Sequence, residues 1–464
     1  MSNILLLFYF PIKNESIPCF YNQFSKAFED SGHNVLLVNN FVPKHNNDHI
    51  CSDLIKKIRT FNPNLIIAFN HIINEELYKN TNCPVIAFEA DTIDVFANFN
   101  LMQKYQDRLY LGLLNQNRIK IVKNQLPWLK DKNILIIKNS TTLQSELLNQ
   151  DINISCVATL IGLGENNLTN NLISNIKNEN YINKFKLIYD KAIEDWSQIN
   201  SDDFKYLNCS YIEFFHFVSF YSRLYILDNV ASLGLNVYGD FVGLRSVLNL
   251  RDLFFSLKKD TVLSISENQN LYNRSKLSIN VHFAHNIKKP EYSVYSWRVC
   301  DIMATNACLV STECPALDQD FGKWVKIPQF SNKHEAYDLS KKLLLENNLR
   351  KDIVAGSQLA IKEGNFTFHH RVKEIEEVFN LKPNEKKQEL KYCYSEYFSK
   401  LENPYQKKQE LKYCYSADFS KLENPYLKIT KKLFIILYKL NIERIVKLPK
   451  KLIVFFYNLY FNKK

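Results

Sequence analysis

Short, continuous apolar runs alternate with amphipathic stretches over the first 140 residues. That alternation leaves few folds open. The runs 4–10, 34–38, 65–69, 85–88, 119–122 and 134–137 read as strands. Helical spacing falls at 21–30 and 53–61, with Gly32 placed to end the first helix. Strands apolar at successive positions are buried on both faces, and interleaved helices supply the cover. The expectation is a parallel sheet in a Rossmann-like domain of residues 1–150. No Gly-x-Gly-x-x-Gly follows the first strand, so nothing points to a dinucleotide there.

At 464 residues the chain exceeds one ordinary core. A second α/β unit is expected over 151–365. It has strands at 155–161, 236–238, 262–265, 277–283, 307–311 and 325–328, and an aromatic-rich helical region at 169–228. Helices are expected at 333–346 and 348–363, with a further one at 366–379 inside a returning segment, 366–383. Within this unit, 271–311 carries the strongest functional signal. A strand leads to a loop ending Tyr292-Ser293-Val294-Tyr295-Ser296, and a helix follows with Arg298 and Asp301 in its first turn. Amides and the helix dipole converge at such a junction and favour phosphate.

Charge and cysteine set the remaining limits. The net charge is +11, but residues 385–464 account for +10 of it, so the body is near neutral. A nucleic-acid binder would spread basic residues over the fold, and none is expected as partner. The ten cysteines form no Cys-x-x-Cys pair, and they read as free thiols in a reducing cytosol. The opening MSNILLLFYFP reads as a strand rather than a signal peptide, and no run reaches the ~20 apolar residues of a transmembrane helix. In the 384–426 segment, KKQELKYCYSEYFSKLENPY (386–405) returns at 407–426 with two changes, a 21-residue period. Segment 427–464 alternates aliphatic and aromatic residues with ten Lys+Arg and one acid. It reads as a basic amphipathic tail for an anionic membrane surface.

The second half resembles the CgeB-like (spore-maturation) branch of the GT-B, group 1 glycosyltransferases. The matching pattern runs through 156–162, the stretch from Arg223 to Gly239, then Tyr272, Ser275 and Asn280. It continues with Arg298-Val-Cys-Asp301-Ile-Met-Ala304-Thr-Asn306 and closes at 366–371. The resemblance covers about 150–380, and the first 150 residues agree by architecture alone. Asp301 and Asn306 stand where the family has Glu and Gly, and Ser293 where one branch has a second Glu. The resemblance implies a GT-B fold, α/β with two Rossmann-like domains facing a cleft, and here a C-terminal repeat and basic tail. It also implies a nucleotide-sugar donor site and a metal-independent reaction without a cofactor, with retention of configuration as the family habit.

The donor-site candidates are Gly239, Tyr272, Asn280, His282, Tyr292, Ser293, Ser296, Arg298 and Asp301, with Arg298 on the diphosphate and Asp301 on the ribose hydroxyls. Arg274 and Lys276 are weaker phosphate candidates. The catalytic candidates are Asp91, after the fourth strand and facing the acceptor, and His285. Asp94 and His71 have similar placements. Plainer readings stand beside these. Arg298 can be a solvated helix residue, Asp301 a dipole-stabilised carboxylate, and the histidines structural. Asp318-Gln-Asp320 looks like a metal motif but lies in the wrong context. The expected protein is a glycosyltransferase on the cytoplasmic face of the plasma membrane, building a lipopolysaccharide- or capsule-like precursor on a glycan or lipid-linked glycan acceptor. The alternatives are a silent GT-B-like scaffold docking partners, or itself, through 386–426, and a transferase acting on flagellar or surface protein.

Overall fold

The computed structural model describes residues 2–8, 19–39, 52–71, 73–90, 99–158, 167–175, 177–194, 198–239, 250–260, 263–282, 293–382 and 391–393. The first half runs β1 (Asn3–Phe8), α1 (Cys19–Asp30), β2 (Asn34–Asn39), α2 (Ser52–Phe61), β3 (Leu65–Phe69), α3 (Glu75–Asn80), β4 (Val85–Phe88), α4 (Phe99–Lys104), β5 (Leu109–Leu113), α5 (Ile119–Gln125) and β6 (Ile134–Ile136). Residues 4–8 of β1, and all of β3 and β4, are buried, as strands covered on both faces must be. Helix α1 ends because Gly32 takes φ +84°, which lets His33 N–H return to Phe28 O at 3.0 Å.

The second half runs β7 (Ile152–Val157), α6 (Asn167–Ser174), α7 (Glu179–Glu194), α8 (Ser201–Leu207), α9 (Tyr211–Ala231), β8 (Leu235–Gly239), α10 (Arg251–Ser256), β9 (Leu257–Asp260), α11 (Ile265–Arg274), β10 (Ser275–Asn280), α12 (Arg298–Met303), β11 (Cys308–Thr312), α13 (Pro315–Phe321), β12 (Gln329–Phe330), α14 (Lys333–Leu345) and α15 (Asn347–Glu363). After these come α16 (Phe368–Phe379) and β13 (Lys391–Cys393). Helices α6 to α9 share a core of their own around Tyr181, Leu207 and Phe214. The far end of α9 packs under the second sheet through Leu224, Leu227 and Val230.

Both sheets are parallel among the described strands. The first has the order β13-β2-β1-β3-β4-β5-β6, and the second β12-β11-β10-β7-β8-β9. The second order, read from β9, is the doubly wound pattern 3-2-1-4-5-6. Helix α16 packs its Phe368, Val372 and Ile375 into the first half's core beside Phe24 and Phe28. The chain crosses between the halves twice, side by side: Thr141 N–H donates to Phe366 O (3.2 Å) and Phe368 N–H to Thr141 O (3.1 Å).

Three elements differ from the sequence expectations. Residues 119–122 begin a helix, and the strand is Leu109–Leu113, whose signal Gly112 weakens. A side chain at Gly112 would run into Ile137, Ile86 and Phe88, so packing requires the glycine there. The strand expected at 262–265 is Leu257–Asp260; Ser264 instead caps α11 in a reciprocal box with Glu267. The strand expected at 325–328 lies at Gln329–Phe330. The 21-residue repeats, β13 apart, and the basic tail lie outside the described residues.

Candidate functional site

In the second sheet β7 and β10 are neighbours whose connections leave in opposite directions. Crevices at the carboxyl ends of such a pair are where doubly wound folds take ligands. Here Cys156, Val157 and Ala158 from the end of β7 meet Ile279, Asn280 and Val281 from the end of β10. Arg223 from α9 and Arg298 from α12 complete the lining. The segments after β7, β8 and β10 (159–166, 240–249 and 283–292) lie outside the described residues.

The two guanidinium groups dominate the electrostatics. Arg223 is buried and donates from Nη2 to Val281 O at 2.9 Å. Burial lowers its pKa to about 10, Arg298 adds to the fall, and the Cys156 thiol opposes it. Arg298 is half-buried and makes no ion pair among the described residues. Beside them the buried His282 is held down to about 3, by burial first and then by Arg298 and Arg223. His282 is therefore neutral at any working pH and serves as a hydrogen-bonding group. Burial lifts the Cys156 thiol to about 11 against the pull of both arginines, so it is not a nucleophile at neutral pH.

A polar floor fixes this geometry. Asn280 Nδ2 donates to the His282 ring (3.0 Å) and to Ser311 Oγ (3.2 Å), while its Oδ1 accepts from Ser296 Oγ (2.8 Å). His282 N–H donates to Thr312 Oγ1 at 3.0 Å. Of the nominated residues, Asn280, His282, Ser296 and Arg298 are thus brought together. Gly239 ends β8 at φ +126°, and any side chain there would press into the Ala158 carbonyl. Its absence of a Cβ lets β7 and β8 close up next to the arginines.

Tyr272 and Asp301 lie on the side of Arg298 that faces the first half. Asp301 is buried, and its Oδ1 accepts from Gln23 Nε2 (3.0 Å) and Thr141 Oγ1 (2.6 Å). Burial raises its pKa to about 6, against these bonds and the charge of Arg298. Burial also pushes the Tyr272 hydroxyl well up, with Asp301 adding and Arg298 opposing. Cys19, near Asp301, is lifted to about 12 mainly by burial. The carboxylate assigned by resemblance to a ribose therefore also ties the two halves together.

Ser293 is placed elsewhere: its Oγ accepts from Ala316 N–H (2.8 Å) and its carbonyl from Asn115 Nδ2 (2.9 Å). Asp91, Asp94, His285 and Tyr292 lie outside the described residues. Glu89, which precedes Asp91, forms a buried pair with Arg118 at 2.6 Å. His71 is buried against the Tyr78 hydroxyl at 2.9 Å. Arg274 pairs with Asp151 at 2.5 Å, and Lys276 meets Asn153 at 3.0 Å. Asp320 binds Lys138 Nζ (2.7 Å) and the Tyr295 hydroxyl (2.8 Å), and Asp318 accepts from Gln329 (3.0 Å). Among the described residues no cluster of His, Cys, Asp and Glu is arranged to hold a metal ion. The site residue that sequence reasoning passed over is Arg223. It is the one Lys or Arg in α9, and a basic residue buried there needs a reason.

No family model matches the chain, and no curated protein matches it. Solved structures do. The sucrose-phosphate synthase of Thermosynechococcus elongatus superposes with a TM-score of 0.52 at 7% identity, over 82% of this chain and 98% of that one. A glycosyltransferase from Rickettsia africae covers 82% and 98% at 10% identity, with a TM-score of 0.47. The Anabaena protein HepE, solved with UDP and glucose, covers 82% and 100% at 10% identity, with a TM-score of 0.46. With its two parallel Rossmann-like sheets and the helix that returns to the first, the chain has the GT-B fold of glycosyltransferases.

Proposed function

We propose that the protein is a glycosyltransferase that takes a sugar from a nucleotide-sugar donor and passes it to a surface-glycan precursor. The observation that carries this reading is the Arg223–Arg298 pair at the switch point of the second sheet. A departing nucleoside diphosphate gathers negative charge as the glycosidic bond breaks. Two guanidinium groups at that place, Arg223 anchored on the Val281 carbonyl, stabilise the charge. Neutral His282, Asn280 and Ser296 supply hydrogen bonds to the phosphates or the sugar. Metal-independent transfer with retention, a place in the CgeB-like branch, a lipopolysaccharide- or capsule-like acceptor, and attachment of 427–464 to the inner membrane face belong to the same proposal. Asp91 and His285 remain its acceptor-side and catalytic candidates.

A second reading is a catalytically silent scaffold. It is favoured by Asp301, whose Oδ1 is already engaged by Gln23 and Thr141. A thermal-shift screen of the full chain with UDP, GDP, ADP, dTDP and their common sugars separates the two, because a ligand of the folded state raises stability by mass action. The transferase reading expects a rise with one nucleotide family and release of its diphosphate on incubation with the matching sugar nucleotide. No rise with any of them supports the scaffold.

A further inference from the structure

Residues Lys391–Cys393 of β13 add to the first sheet alongside β2. The pairing is parallel, with Lys391 opposite Leu36, Tyr392 opposite Leu37 and Cys393 opposite Val38. Without β13 the sheet would end at β2, with a row of main-chain groups open on that side. The sequence that supplies this strand occurs twice. Residues 386–395, KKQELKYCYS, recur unchanged at 407–416, so Lys412, Tyr413 and Cys414 repeat Lys391, Tyr392 and Cys393. Strand addition is governed by main-chain hydrogen bonds and by the side chains of the added strand. Both are the same for the two copies. Each chain therefore carries two identical copies of the sequence that occupies the β2 edge.

Tether length decides which copy is seated within a chain. Lys382 N–H is held by Ser2 Oγ at 3.0 Å, next to the start of β1. Eight residues separate Lys382 from Lys391, and 29 separate it from Lys412. Loop closure favours the shorter tether, by about 7-fold on the three-halves power of length. The second copy is joined to the same point by 29 residues, which span roughly 100 Å at full stretch. Three registered positions are described for the first copy, and a strand that short is readily exchanged.

We propose that the 407–416 copy of one chain seats on the β2 edge of a second chain, in place of that chain's own 386–395 copy. The pairings broken and made are of one kind, so the exchange is of low cost. Once one strand has crossed, the return crossing is intramolecular and is strengthened accordingly. The partner recognised by the β2 edge is thus a second copy of this chain.

The register supplies the test. A thiol introduced in place of Val38 would stand opposite Cys393, within the Cα separation a disulfide needs. Full-length Val38→Cys, and Val38→Cys combined with Cys393→Ser, are each prepared unlabelled and with ¹⁵N. The two isotopic forms are mixed, incubated, mildly oxidised and mapped by peptide mass spectrometry. The single variant is expected to link the introduced thiol to Cys393 within a chain, which shows that the edge is folded. The double variant is expected to link the introduced thiol to Cys414, with about half of the linked peptides carrying one label of each kind, as random pairing between chains requires. Links to Cys414 that never mix labels would overturn the proposal, since the second copy would then be exchanging only within its own chain. It is equally overturned if the double variant gives no link to Cys414 while the single variant links to Cys393, or if neither link forms.

Discussion

At the first sheet's switch point, β1 and β3 end in Phe8 and Phe69, and aromatic rings close over them. Tyr21 lies 4.6 Å from Phe8 and 4.7 Å from Phe69, Phe20 lies 5.5 Å from Phe69, and Trp297 reaches over from the second half to 5.4 Å from Phe88. At the second sheet's switch point, β7 and β10 end instead against Arg223 and Arg298. Arginine near the strand ends of the first half is handled differently again: Arg118 is paired with Glu89 in the interior. One half uses its crevice as a core, and the other keeps positive charge there. Charge held at such a place costs stability, and on the reading proposed above an anionic ligand would return it.

Substitutions in the two halves separate these roles. The largest stability effect is expected for Arg118→Met, which leaves the buried Glu89 without its guanidinium. Chemical denaturation should record a loss of about 3–5 kcal/mol, with nucleotide affinity unchanged in the folded fraction. Trp297→Ala comes next, at about 3 kcal/mol, because a large ring is removed from the aromatic cluster and a cavity remains. Less than about 1 kcal/mol lost on that change would mean that the cluster does not bind the halves together.

Asp301→Asn is expected to act through pH. The folded pKa of His282 lies near 3, below its unfolded value, so its stabilising effect is full above about pH 6.5 and is lost as pH falls towards 3. Asp301 is raised to about 6, so the folded state gains relative stability as pH falls from 6 towards 4. The two slopes oppose each other in that window. Removing the carboxylate exposes the histidine slope, and the variant should lose about 1.4 kcal/mol per pH unit more than the parent between pH 6 and 4. Parallel stability curves for the two proteins would contradict the raised pKa of Asp301. The smallest stability effect belongs to Arg298→Ala, within about 1 kcal/mol of the parent by denaturation, since the lost contacts are offset by relief of repulsion with Arg223.

Much of the architecture was legible because it depends on local pattern. Apolar runs such as 65–69 and 85–88 suit strands covered on both faces, and their alternation with helices favours a parallel sheet. The errors fell where packing overrode that pattern. Gly112 hides β5 because three neighbouring side chains occupy the space of its Cβ. Residues 119–122 are apolar enough for a strand yet start α5. Around the crevice, Arg298, Asn280 and Ser296 come together as expected because their segments lie close in sequence. Arg223 reaches the same place from α9, 75 residues before Arg298; it opens the Arg223 to Gly239 stretch of the family pattern, but no spacing links it to the 271–311 segment. The partners of Asp301, Gln23 and Thr141, come from 278 and 160 residues away. No spacing in the chain announces them.

Calorimetric titration of the parent and of Arg298→Ala with UDP, GDP, ADP and dTDP tests the charged switch point most directly. The parent should bind one of these diphosphates. The variant, equally stable, should bind it about 100-fold more weakly, the loss of roughly 3 kcal/mol for a bidentate guanidinium–phosphate contact. Equal affinity in the two proteins, or no diphosphate bound by the parent, would contradict the assignment of this crevice to a nucleotide-sugar donor.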